Sequence, residues 1–161
     1  MMENYRKIEY FKFEQDFIED NLRCIPMVAR MKLDIVGLKL SLKSWSRFSE
    51  KDRQYLAKAP VTTEQECKVY RNVLEECIVS DMNDNLVLID QTENILWENP
   101  EQIPNSLIEK SAEFNQQISL NQWKELSQLQ RFALIKLSRP GHESRNFPKA
   151  LQEFGLSKNE L

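Results

Sequence analysis

The chain has 161 residues, 41% of them hydrophobic and 29% charged, with only three glycines. That profile excludes a disordered chain and fits a single domain, 1–161, able to bury its own core. The formal net charge of −3 lacks the basic excess that nucleic-acid and membrane-surface binding draw on, so neither partner is expected.

No apolar run reaches the roughly 20 residues of a membrane-spanning helix. The start, MMENYRKIEY, has no apolar stretch of a secretory signal, and a cytoplasmic location is expected. Cys24, Cys67 and Cys77 are odd in number and lack CxxC spacing, which points to reduced thiols rather than a disulfide framework or a four-thiolate zinc site.

In chain order, Tyr10, Phe11 and Phe13 alternate with Lys12 and Glu14, the pattern of a short extended arm or strand. From Pro26 the pattern is helical to residue 36, with proline suited to the first turn and Gly37 to the stop. Ser49 three residues before Asp52, and Thr63 three before Glu66, read as N-caps of two further helices, the second with a full capping box. In the Thr63 helix, Cys67, Tyr70, Leu74, Cys77 and Ile78 form one apolar stripe, which predicts that both cysteines point inward. Residues 80–105 read as an acidic connector with a short strand or turn at Leu86–Ile89. Helical patterning resumes over 105–115. Ser119 and Gln122 then form a capping box before WKELSQLQRFALIKL, read as the strongest helix and the centre of the fold. Arg139, Pro140 and Gly141 end it, and Asn146 is placed to cap a last helix, FPKALQEF, stopped by Gly155.

Shifting the sequence by 78 residues aligns Ile25-Pro26 with Ile103-Pro104 and holds register without a gap. Lys32 meets Lys110, Ser41-Leu42 meets Ser119-Leu120, Trp45 meets Trp123, Ser49 meets Ser127, Arg53 meets Arg131, Leu56 meets Leu134 and Lys58 meets Lys136. The expected fold class is therefore mainly α: a helical bundle with an internal duplication of helical hairpins, repeats 25–58 and 103–136, packed about a pseudo-twofold axis. Charge divides along the same lines. Residues 21–58 hold nine basic and three acidic side chains, 81–118 one and eight, and 119–158 seven and three. Basic segments flanking an acidic connector suit docking to a complementary partner, although solvated helix faces are the commoner use of such charge.

Two clusters could carry chemistry. The loop after Leu137 gathers Arg139, His142, Glu143, Arg145 and Asn146 behind a Pro-Gly turn, and exposed loops on rigid elements commonly bind. His142 is the lone histidine and is insufficient for a zinc site. The second cluster sets Arg23, Cys24, Arg30 and Lys32 around a helix start, where arginines pair with acidic partners, phosphates or, more often, the protein's own carboxylates. Cys24 beside Arg23 has the neighbours of a reactive thiol, though a plain buried thiol is commoner. No GxSxG motif and no glycine-rich phosphate loop occur, which argues against a hydrolase and against ATP or NAD enzymes.

The stretches FKFEQDFIEDNLRCIPMVARMKLD, LKLSLKSWSRFS and QRFALIKLSRPGHESRNF resemble the nitrate reductase-associated protein family of cyanobacteria, the NarM type, over nearly the whole chain. The resemblance implies a protein needed for an active assimilatory nitrate reductase, the ferredoxin-dependent molybdenum and iron-sulfur enzyme, without being a reductase itself. It implies no catalytic residues and no cofactor of its own. The chain agrees, having no thiolate set for a cluster.

The leading expectation is thus a non-catalytic accessory or maturation partner that docks on nitrate reductase through Arg23, Arg30, Lys32, Arg139, His142, Glu143, Arg145 and Asn146. One alternative is a small-anion or cofactor-precursor site between the repeats, lined by Arg53, Arg131 and Arg139. Another, a hydrolase, would require Cys24 and His142 within hydrogen-bond reach.

Overall fold

A computed structural model describes residues 8–79, 87–88 and 95–157. The fold is mainly α. The described residues fall into two compact units, one of 8–10, 14–79 and 87–88, the other of 11–13 and 95–157.

A single 3-10 turn, Lys12–Glu14, leads into α1 of the first unit, Gln15–Glu19. The alternating aromatics therefore do not form the expected arm or strand. Glu14 is the reason on this side: it is buried, and its carboxylate accepts the Met27 N–H at 2.7 Å, satisfying an orphan donor at the start of α2, Met27–Val36. Pro26 sits at the N-cap of α2, and Gly37 ends it in the left-handed conformation at φ 77°. A two-residue strand β1, Leu38–Lys39, pairs antiparallel with β2, Val87–Leu88, so the short strand expected in the connector forms.

Ser41 then caps α3, Leu42–Arg47, and Ser49 caps α4, Glu50–Lys58; each hydroxyl accepts the N–H three residues on. Thr63 and Glu66 make the expected reciprocal capping box ahead of α5, Glu64–Val79. Helix α2 packs against α4 and α5. The Tyr70 hydroxyl donates to the Leu56 carbonyl at 2.6 Å, and Lys32 Nζ donates to the Ala57 carbonyl at 2.9 Å. Cys77 is buried, but Cys67 is only half-buried, because its thiol turns back to the Val61 carbonyl before the helix.

In the second unit, a 3-10 turn Ile95–Glu98 precedes α6, Asn105–Glu113. Ser119 and Gln122 form the expected capping box of α7, Leu120–Glu125. The segment read as one long helix breaks at Leu126, which is extended at ψ 148°, and α8 restarts at Gln128–Ser138. A second capping box between Ser127 and Gln130 drives the restart. Helix α8 is the centre of this unit, burying Leu129, Phe132, Ala133, Leu134, Ile135 and Leu137 against α6 and α9, Phe147–Glu153. Asn146 occupies the N-cap of α9 without making a side-chain cap; the preceding 3-10 turn His142–Asn146 feeds the helix its first turn. Phe11 stacks on Phe13 with ring centroids 5.3 Å apart and tilts against Phe154 at 4.9 Å.

The two corner segments share one arrangement. Trp45 and Trp123 are fully buried, and their indole N–H groups donate to the Leu22 and Asn99 carbonyls at 2.8 and 2.9 Å. Replacing Trp45 by Phe keeps most of the apolar burial and leaves the Leu22 carbonyl without its donor. In urea unfolding, Trp45→Phe and Trp123→Phe are each expected to lose about 1–3 kcal/mol; an unmoved midpoint contradicts this account of the corners.

Candidate functional site

Arg53 and Arg131, eight residues after these tryptophans, hold the same corners. Arg131 is buried and donates Nε to the Trp97 carbonyl at 2.8 Å, and Nη1 to the carbonyls of Leu126 at 2.7 Å and Trp123 at 3.4 Å. Its guanidinium also lies 5.8 Å from the centre of the Trp123 ring. Burial lowers its pKa from the ordinary arginine value. Arg53 donates Nη1 to the Phe48 carbonyl at 2.6 Å and Nε to the Asn21 carbonyl at 3.2 Å. Each arginine is thus engaged with backbone carbonyls inside its own unit.

The cluster at the start of α2 is similarly occupied. The helix N-terminus faces the Glu14 carboxylate, Arg23 pairs with Asp20 at 2.9 Å, and Arg30 donates to the Ile25 carbonyl at 3.3 Å. Lys32 closes the end of α4 through Ala57. Of Arg23, Arg30 and Lys32, only Arg23 is exposed, and its Nη1 lies 4.0 Å from the half-buried Cys24 sulfur.

In the other cluster, Gly141 adopts φ 147° with nothing within 4 Å of an added Cβ, so its backbone conformation, and not crowding, calls for glycine there. Its carbonyl accepts both the Ser144 N–H and the Ser144 hydroxyl, which folds 142–146 into the 3-10 turn. Arg139 and Arg145 are exposed, as is Lys149 on α9, and none of the three has an ion pair or side-chain hydrogen bond to a described residue. Asn146 is half-buried. The side chains of His142 and Glu143 lie outside the described residues, and with them the pairing of His142 with Cys24. No group of three His, Cys, Asp or Glu side chains placed to hold a metal occurs among the described residues, and no helix among them is long and apolar enough to cross a membrane.

A third feature escapes sequence reading. Asp20, Asn21, Arg23, Ser46 and Arg53 line a cleft of about 250 Å³ on the first unit. Asn21 in its lining and the buried Leu22 beside it are both left-handed, at φ 53° and 54°. Asparagine tolerates that conformation, but a buried leucine there is an uncommon strain. The Trp45 and Arg53 hydrogen bonds to these two carbonyls hold it. Only the paired Trp and Arg positions hint at this in the sequence, because the lining residues come from segments far apart.

Residues 10–154 match the model of a family described as conserved nitrate reductase-associated protein. The chain belongs to this family. No curated protein and no solved structure matches it. The match takes in both corners, the cleft and the Arg139–Asn146 loop, so these are features of the family region and not additions to it.

The cysteines offer a direct check on packing. Burial, with the Asp52 carboxylate beside it and hydrogen-bonded to it, pushes the Cys77 thiol up to about 12. A raised acid pKa stabilises the fold fully below the unfolded thiol's value near 8.5, and that contribution is lost as pH rises through about 12. Stability is therefore expected to fall across this alkaline window, with a shallower fall in Cys77→Ala. At pH 8, Cys24 should react with a thiol reagent well before Cys77; comparable rates contradict this placement.

Proposed function

We propose that the chain is a non-catalytic accessory or maturation partner of assimilatory nitrate reductase, acting by docking on that enzyme. The observation that carries this reading is membership of a nitrate reductase-associated family across residues 10–154. The docking residues proposed are Arg139 and Arg145, with His142, Glu143 and Asn146 of the same loop, and Arg23 of the first unit. Arg139 and Arg145 are exposed and have no ion pair to a described residue, which suits charge-assisted pairing with a carboxylate surface, and Arg23 is exposed beside Asp20. Arg30 and Lys32 serve this docking by fixing α2, since both donate to backbone carbonyls.

Immobilised chain is expected to retain purified nitrate reductase at low salt and less of it at moderate salt, as screening weakens exposed charge pairs. Arg139→Glu combined with Arg145→Glu should weaken retention roughly tenfold, mainly through slower association. Absence of retention in both salts contradicts the reading.

A further inference from the structure

Two of the residues lining the cleft, Ser46 and Arg53, lie inside the repeat and have equivalents in the second unit. Ser46 corresponds to Lys124 and Arg53 to Arg131, while the preceding loops run differently: Arg53 and Trp45 reach the Asn21 and Leu22 carbonyls, Arg131 and Trp123 those of Trp97 and Asn99. In the second unit, Lys124 pairs with Glu101 at 3.1 Å, and Arg131 is buried.

The first unit differs at the equivalent position. Serine stands where the lysine would be, and the Ser46 hydroxyl is donated to the Lys43 carbonyl, so Ser46 leaves space. Arg23 pairs with Asp20 at 2.9 Å. Arg53 keeps the corner role but is only half-buried and lines the open cleft with the exposed Arg23. Two of its donor nitrogens hold carbonyls, and the guanidinium has five N–H groups, so donors remain. Asp20, Arg23 and Arg53 together carry one net positive charge. Beside the cleft, residues 35–49 contain Lys39, Lys43 and Arg47, all exposed, and no acidic residue.

We propose that this cleft is a docking site for a carboxylate side chain on an acidic segment of a partner protein, received between Arg23 and Arg53 while the segment runs along the basic face of α3. A single unmatched positive charge suits one carboxylate. A phosphate dianion would bring a second negative charge up against Asp20. The proposal rests on the reading that the chain docks on another protein, and it names the chemistry of that partner's contact.

The test removes the exposed arginine and places a lysine at the Ser46 position, as Arg23→Glu with Ser46→Lys in the full chain, leaving Arg53 and the corner intact. Binding of fluorescein-labelled hexaglutamate is followed by anisotropy, with a labelled single-stranded oligonucleotide in parallel and circular dichroism melting as a check on folding. The wild type should bind hexaglutamate, and the double variant should bind it roughly tenfold more weakly at an unchanged melting temperature. Equal binding by both, no binding by the wild type, or preference for the oligonucleotide overturns the proposal. If the double variant melts early, Arg23→Gln alone is read in its place, with weaker hexaglutamate binding expected and unchanged binding overturning the proposal. Retention of nitrate reductase by both wild type and double variant would defeat the cleft and leave the docking reading standing. Loss of hexaglutamate binding in the variant, with no reductase retained by the wild type, would defeat the named enzyme and leave the cleft standing.

Discussion

An arginine placed eight residues after a buried tryptophan organises both halves of this protein. Where α3 turns into α4, and α7 into α8, the chain is extended for two residues, and the carbonyls at the corner lose their helical partners. The guanidinium collects them: Phe48 and Asn21 by Arg53, Leu126, Trp123 and Trp97 by Arg131. Its fixed fork of donors matches several carbonyls at once, which lysine could not do. The tryptophan supplies the apolar mass beneath and ties the incoming chain with one more hydrogen bond. Capping, packing and the path of the preceding loop all depend on this arrangement.

That inward use of charge decides which basic residues remain for partners. The count of basic side chains in residues 21–58 suggests a broad docking surface, yet Arg30, Lys32 and Arg53 are turned to backbone carbonyls. Arg139, Arg145 and Lys149 in the second unit, and Arg23 with Lys43 and Arg47 of α3 in the first, are among the basic side chains that remain exposed. The same corner thus does two jobs. Buried, as at Arg131, it is purely structural; left half-open, as at Arg53, it presents a guanidinium already held in place by its structural bonds.

Much of the helical framework was legible from residue type and spacing. Ser49, Thr63 and Ser119 cap where their hydroxyl-to-amide spacing places them, and Gly37 stops α2, because caps and stops are local. The continuous helix through Leu126 failed because its apolar pattern spans the break smoothly, although Ser127 with Gln130 carries the same capping signal as Ser119 with Gln122. The alternation around Phe11 misled for a different reason. Its period came from rings stacking on Phe154 and from Glu14 reaching α2, both set by distant parts of the chain. The cleft was illegible for that reason too: it needs left-handed Asn21 and Leu22, which no local propensity demands.

Urea unfolding of Arg131→Met beside Arg131→Lys tests the central claim most directly. Methionine fills the space and leaves the Trp97 and Leu126 carbonyls without this donor, so a loss of about 2–3 kcal/mol or more is expected, with lysine recovering only part of it. A methionine variant as stable as the wild type would show that the corner is held by packing alone and would contradict the account.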